Sequence, residues 1–117
     1  MPGRSGVVER YLDAIQSHDW HTLAECVTDD VVRVGPYADE YKGRAAYIRM
    51  ISSLMPTLQG YGMNVSKVTY DGDRAFAELT ETVDVDGTST VTHEVLVLEL
   101  DDDQISRIDI YIQRGSP

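Results

Sequence analysis

The run from Arg74 to Leu100 constrains the fold more than any other stretch, because strand propensity, alternation and turn chemistry agree along its whole length. Asp86-Gly87 divides it, and an Asp-Gly pair suits the type I′ turn, whose positive φ angles match the twist of the flanking strands. A two-residue loop at that point fixes the register. Val85 is expected to face Thr88, Val83 Thr90, Glu81 Thr92, Leu79 Glu94 and Ala77 Leu96, all on one side of the sheet. That side is mostly apolar and carries two carboxylates, Glu81 and Glu94. The opposite side holds Val91, Val95 and Val97 and would suit a sheet-to-sheet contact in a homodimer.

The segments on either side supply helices first and strands second. Ser5 is placed to cap a helix whose apolar residues Val7, Val8, Tyr11, Leu12 and Ile15 recur at helical spacing, leaving Glu9, Arg10, Asp13 and Gln16 outward. After a break at Ser17-His18, Asp19 caps a short second helix over 20–27. Val31 to Val34 reads as a short strand stopped by Gly35-Pro36, since proline cannot donate to a ladder. A loop, Tyr37 to Gly43, leads to a third helix from Arg44 to Met55, ended by Pro56. Tyr47, Ile48, Ile51, Leu54 and Met55 form its apolar face. From Tyr61 the period changes to two, with Met63, Val65, Val68 and Tyr70 leading to a turn at Asp71-Gly72-Asp73. Ile108, Ile110 and Ile112 alternate in the last strand. This order predicts an α+β domain in which three helices cover one face of a strongly curved antiparallel sheet of four to five strands.

At 117 residues the chain suits a single domain over residues 1–117. Ten basic against twenty acidic residues give a formal charge of -10, which repels phosphate backbones and anionic lipid, so neither nucleic acid nor membrane is an expected partner. No apolar run is long enough to span a bilayer and the first residues lack a signal-peptide core, so a cytoplasmic location is expected. The acidic residues gather at Asp29-Asp30, Asp39-Glu40, Asp71 to Asp73, Asp84 to Asp86 and Asp101 to Asp103, all read as solvated turns. The single Cys26 excludes an intrachain disulfide and reads as a packed, unreactive thiol. The three histidines, His18, His21 and His93, are not spaced as metal ligands, and no metal or cofactor is expected.

The run Val7 to Ile15, then Asp19, Leu23, Asp29-Asp30-Val31, Gly35-Pro36 and Gly43-Arg-Ala-Ala, together with the strands, resembles the nuclear transport factor 2-like superfamily. Within it the chain is most similar to the ketosteroid isomerase and SnoaL-like polyketide cyclase branches, the latter through the ending Leu-Asp-Asp-Asp-Gln-Ile-Ser-Arg-Ile-Asp-Ile-Tyr. The resemblance implies a cystatin-like cone and a small apolar ligand held inside it. It maps the isomerase oxyanion tyrosine onto Tyr11. The isomerase general base falls on Gly35 and the second oxyanion donor on Leu96, so isomerase activity itself is not implied. The fold hosts isomerases, cyclases, dehydratases, epoxide hydrolases and plain binding modules.

The residues themselves nominate Glu81 and Glu94, diagonal neighbours with Cα atoms roughly 7 to 8 Å apart in this register. A carboxyl pair in an apolar cavity supplies a general acid and a general base, with Tyr11 left to bind the substrate oxygen. The competing reading puts one or both Glu in water at the rim, or in structural bridges to Arg33 or Arg44. His93 falls on the opposite face, where a β-bulge would be needed to turn it inward as a proton shuttle. Trp20, Tyr37, Tyr41 and Tyr47, with Leu96 and Ile112 on the sheet, are candidates to line the ligand site. Asp109 belongs to an outward set with Arg107 and Tyr111. The expectation is therefore a cofactor-independent acid–base enzyme, or else a ligand-binding or dimerisation module of the same fold.

Overall fold

A computed structural model describes residues 6–113. Helices α1 (Val7–Ser17) and α2 (Trp20–Glu25) precede strand β1 (Val27–Val34), the short β2 (Glu40–Lys42) and helix α3 (Arg44–Leu54). A single 3-10 turn, Met55–Thr57, closes α3. Strands β3 (Gly62–Asp71), β4 (Arg74–Val85), β5 (Thr88–Asp101) and β6 (Gln104–Gln113) follow. They form one six-stranded sheet in the order β2-β1-β6-β5-β4-β3. Three helices on a curved sheet is the expected α+β class. The sheet is mixed, because β1 lies parallel to β6 while every other pair is antiparallel.

The β4–β5 hairpin has the register that its turn dictates, running from Arg74 opposite Glu99 to Val85 opposite Thr88 without a shift. Asp86 (φ 52°) and Gly87 (φ 80°) both have positive φ, as a type I′ turn requires. Elsewhere the sheet is bent by irregularities. The β3–β4 register shifts between Val65 and Lys67, leaving Ser66 over, its hydroxyl donating to the Glu78 carbonyl at 2.9 Å. That bulge changes the parity of β3, so Val68 and Tyr70 join Met63 and Val65 against the core while Lys67 is exposed. A second shift, between Glu99 and Leu100 on β5, and a third, between Val27 and Val32 on β1, bend the far side of the sheet.

α1 buries Val7, Val8, Tyr11, Leu12 and Ile15, as its spacing requires. The cap expected from Ser5 lies outside the described residues; Gly6 (φ 70°) occupies the N-cap position without a side-chain bond. His18 (φ 57°) ends the helix, its backbone N–H returning to Ile15, and Asp19 caps α2 through the Thr22 N–H at 3.1 Å. α2 stops at Glu25, earlier than expected, and Val27 opens β1 instead. The cause is lateral pairing: Ile105 N–H donates to the Cys26 carbonyl at 2.8 Å, and the Gln104 amide reaches the Glu25 and Val27 carbonyls. β1 therefore includes Asp29 and Asp30, and β2 includes Glu40, so these acids lie on strands rather than in turns. Leu54, expected on the buried face of α3, is 45% exposed, because the chain tightens into the 3-10 turn there. Cys26 is buried, with Arg10 Nη2 3.6 Å from its sulfur, and burial pushes its thiol pKa up.

Between the helices and the sheet the core is closed at one end by Leu12, Leu23, Val27, Ala75, Leu98 and Ile108. Ala75 and Ala77 are fully buried and small, so β4 leaves room for the larger side chains that face it at this end.

Candidate functional site

Towards the hairpin tip the space between helices and sheet opens into a cavity of about 190 Å³. α1 contributes Tyr11 and Ile15, and α3 with its 3-10 turn contributes Tyr47, Met50, Ile51, Leu54 and Met55. The sheet side is formed by Arg33 on β1, Met63 on β3, Leu79, Glu81 and Val83 on β4, Thr92, Glu94 and Leu96 on β5 and Ile110 on β6. Leu58 and Tyr61, between the 3-10 turn and β3, complete the wall.

The alternation of β4 and β5 turns Glu81 and Glu94 to this cavity, one register step apart, since Glu81 pairs with Thr92 and Glu94 with Leu79. Both carboxyls line the same wall and interact directly. Removal from water, then the contact with Glu81 and the Glu81 charge, push the Glu94 pKa up to about 9, with Arg33 opposing. Glu94 therefore holds a proton at neutral pH. Tyr61 donates its hydroxyl proton to Glu81 Oε2. Burial, followed by the Glu81 charge and hydrogen bond, drives the Tyr61 pKa upward, so its proton stays in place.

A second polar group stands deeper, where the Tyr11 and Tyr47 hydroxyls lie 2.5 Å apart. Burial raises the pKa of both, Tyr47 to about 12 and Tyr11 well above its ordinary value, so both remain protonated at neutral pH. The remaining wall is largely apolar. Arg33 is the one cation among the described residues that line the cavity, and its guanidinium donates to Asp39 Oδ2 at 2.9 Å. The bridges considered for the two glutamates form elsewhere: Arg33 pairs with Asp39, and Arg44 with Asp29 and the Val27 carbonyl.

Several nominated residues stand away from the cavity. His93 lies on the outer face opposite Thr80 and Gln113, because β4 and β5 pair without the bulge that would have turned it inward. Tyr37 is 72% exposed in the loop after Pro36. Trp20 is half-buried and stacks on His18, with ring centroids 5.2 Å apart. Tyr41, on β2, lines a shallow surface groove with Ala46, Arg49 and Met50. Ile112 pairs with Glu94 but lies beyond the cavity wall, which β6 contributes through Ile110. Tyr11, Tyr47, Glu81, Glu94 and Leu96 are brought together. Asp109 faces outward with Arg107, which grips it at 2.9 and 3.2 Å.

Two ionisable residues of the cavity wall, Arg33 and Tyr61, were not nominated as site residues from the sequence. Arg33 is a lone charge in a β-branched strand, a pattern that hints at an enclosed guanidinium needing a carboxylate. Tyr61 gives no such signal, since its place depends on how the segment after the 3-10 turn folds over the sheet. Among the described residues, no group of three or more His, Cys, Asp or Glu side chains is placed to hold a metal ion, and no helix is long and apolar enough to cross a membrane.

No curated protein matches the sequence significantly. Solved structures match along nearly the whole chain. A Kribbella flavida protein provisionally described as a ketosteroid isomerase superposes with a TM-score of 0.85 at 20% identity, over 98% of this chain and 81% of that one. A protein of unknown function with a cystatin-like fold from Xanthomonas campestris gives 0.85 at 19% identity, over 97% and 92%. An epoxide hydrolase of the LEH-like type from M. tuberculosis gives 0.80 at 21% identity, over 92% and 80%. These identities establish a shared fold, the cystatin-like cone. The SnoaL-like domain family matches residues 8–108, most of the chain, and this protein belongs to that family.

Proposed function

We propose that the protein is a cofactor-independent acid–base enzyme acting on a small, neutral, largely apolar compound that carries a carbonyl or epoxide oxygen. The observation that carries this reading is the Glu81–Glu94 pair inside an otherwise largely apolar cavity. Glu94, protonated at neutral pH, delivers a proton to the substrate oxygen. Glu81 accepts one from a carbon acid or an attacking water. Tyr61 orients Glu81, and Tyr11 with Tyr47 offers a polar anchor for an oxygen deeper in the cavity. The division of labour follows from environment, as two carboxyls in close contact inside a poorly solvated site do not both ionise readily.

The cavity volume, about 190 Å³, falls below the ~300–1,000 Å³ typical of sites for drug-sized ligands. It favours a compact cyclic epoxide or enone over a multi-ring polyketide. Glu94→Gln is the direct test: turnover of such compounds should be lost with the fold intact, and unchanged turnover would remove Glu94 from the mechanism.

A second reading, a binding module without catalysis, draws support from Gly35 and Leu96 standing where an isomerase has its two acids. It expects tight binding of apolar dyes and no reaction in wild-type protein. In either case the protein acts in the cytoplasm as a homodimer through the outer sheet face, where Val91, Val95 and Tyr111 are exposed. Sedimentation of wild-type protein beside Val95→Lys tests the dimer.

A further inference from the structure

The loop that follows Gly35 has no part in the acid–base reading above, yet it meets the cavity through Arg33. After β1 the chain closes on itself over five residues: Gly35 N–H donates to the Asp39 carbonyl at 2.9 Å, and Ala38, at φ 62°, returns its N–H to the Gly35 carbonyl at 3.0 Å. The closure lays the Asp39 carboxylate directly over Gly35. A Cβ at position 35 would overlap both carboxylate oxygens, so any other residue there would push Asp39 aside. Seated in this way, Asp39 accepts a hydrogen bond from Arg33 Nη1 at 2.9 Å. The Arg33 side chain is only 14% exposed and belongs to the same wall as Glu81 and Glu94.

An unpaired guanidinium in that wall would draw the Glu94 proton off and would favour anionic ligands. A paired one does neither to the same degree. We propose that Asp39, seated on Gly35, is a positioning residue for the cavity: it holds Arg33 in the wall that also carries Glu94 and balances the guanidinium charge there. Glycine at position 35 leaves the Asp39 carboxylate the space it occupies. The inference rests on the reading of Glu81 and Glu94 as the working pair, but its test does not require turnover.

The ionisable groups bordering the cavity with Glu94 are Glu81 on β4, Tyr61 ahead of β3, Arg33 on β1, Tyr11 on α1 and Tyr47 on α3; β6 contributes only Ile110. Of these, Arg33 alone is a cation. The experiment is a pH titration of the Glu94 carboxyl carbon by NMR in protein labelled at glutamate, with the signal assigned through Glu94→Gln. Asp39→Asn should lower the midpoint by about one unit, the low end of the effect of an adjacent opposite charge. Gly35→Ala, which leaves Asp39 charged but displaced, should lower it in the same direction. In an Arg33→Met background, Asp39→Asn should leave the midpoint where it is. A midpoint unmoved by Asp39→Asn, or moved equally with Arg33 replaced, overturns the proposal. If Gly35→Ala does not fold, Asp39→Asn with its Arg33→Met control still decides. Should Glu94→Gln keep full turnover, the catalytic reading fails while this titration still reports on the Asp39–Arg33–Glu94 linkage.

Discussion

The two ends of the β4–β5 hairpin are built from the same ladder and do different work. At the closed end Ala75, Ala77 and Leu98 are buried to within a few per cent and meet Leu12, Leu23 and Ile108, so every face is filled by side chains. At the open end the ladder continues without a shift, yet Glu81 and Glu94 face a cavity. Continuous pairing with a change from packing to vacancy means that the helices, not the strands, decide where the core stops. α3 ends at Leu54 in a single 3-10 turn, and Met55 and Leu58 line the cavity there beside Met50 of the helix. The packed core lies at one end and the candidate site at the other.

Leu98→Ala tests that division with the largest expected effect. Truncating a fully buried leucine leaves a void among neighbours that collapse only partly, at a cost of about 2 to 5 kcal/mol in urea unfolding. Glu94→Gln should behave in the opposite way. Because Glu94 is protonated in the fold at neutral pH, the amide is a near isostere: stability should change by less than about 1 kcal/mol below pH 4.5, and at neutral pH it should not fall, since the unfolded variant has no carboxyl there to ionise. Turnover should fall by about 10²-fold or more, the usual contribution of a positioned proton donor. A large stability loss at Glu94 with a small one at Leu98 would invert the assignment of the two ends.

The next contrast is with pH. The Glu94 pKa rises from an ordinary 4.5 to about 9 on folding. Below 4.5 both folded and unfolded chains carry the proton, so the stabilising difference is fully present. As pH rises through that window the unfolded chain gives up a proton that the folded chain keeps, and stability falls until the folded pKa is passed. Urea midpoints should therefore decline from mildly acid to alkaline pH in wild type. The decline should flatten in Glu94→Gln, whereas Leu98→Ala should shift the whole curve down without altering its slope.

The closed end was legible in the sequence because local rules determine it. Helical spacing in α1 named Val7, Val8 and Leu12, and the Asp86-Gly87 turn with alternation gave each partner along β4 and β5. The open end was legible only where the ladder or a periodic helix face reaches it. Glu81 and Glu94 follow from parity, whereas Arg33, Tyr61 and the three cavity methionines depend on how separate segments meet across the sheet. The aromatic residues show the same limit: Tyr47 lies on a periodic helix face and lines the cavity, while Tyr37 and Tyr41, in or beside a loop, do not. The parallel β1–β6 pair and the three register shifts were likewise hidden, since pairing between distant segments leaves no local period to read.

The smallest effect concerns what holds the register that divides the two ends. Gly87 sits at φ 80°, where a Cβ is strained, so Gly87→Ala should cost about 1 kcal/mol and lower the melting temperature by a few degrees. Two forces then compete. The turn favours one loop length, while a slip of one residue would carry Glu94 outward, bring His93 inward and expose Leu96 and Leu98. Exposing two leucines costs several times more than the strain at one turn residue. The register should survive, and cross-strand NMR contacts between Glu81 and Thr92 should persist in Gly87→Ala. Their loss, with His93 contacts appearing to cavity residues, would mean that the turn rather than the packed end selects which side chains reach the cavity.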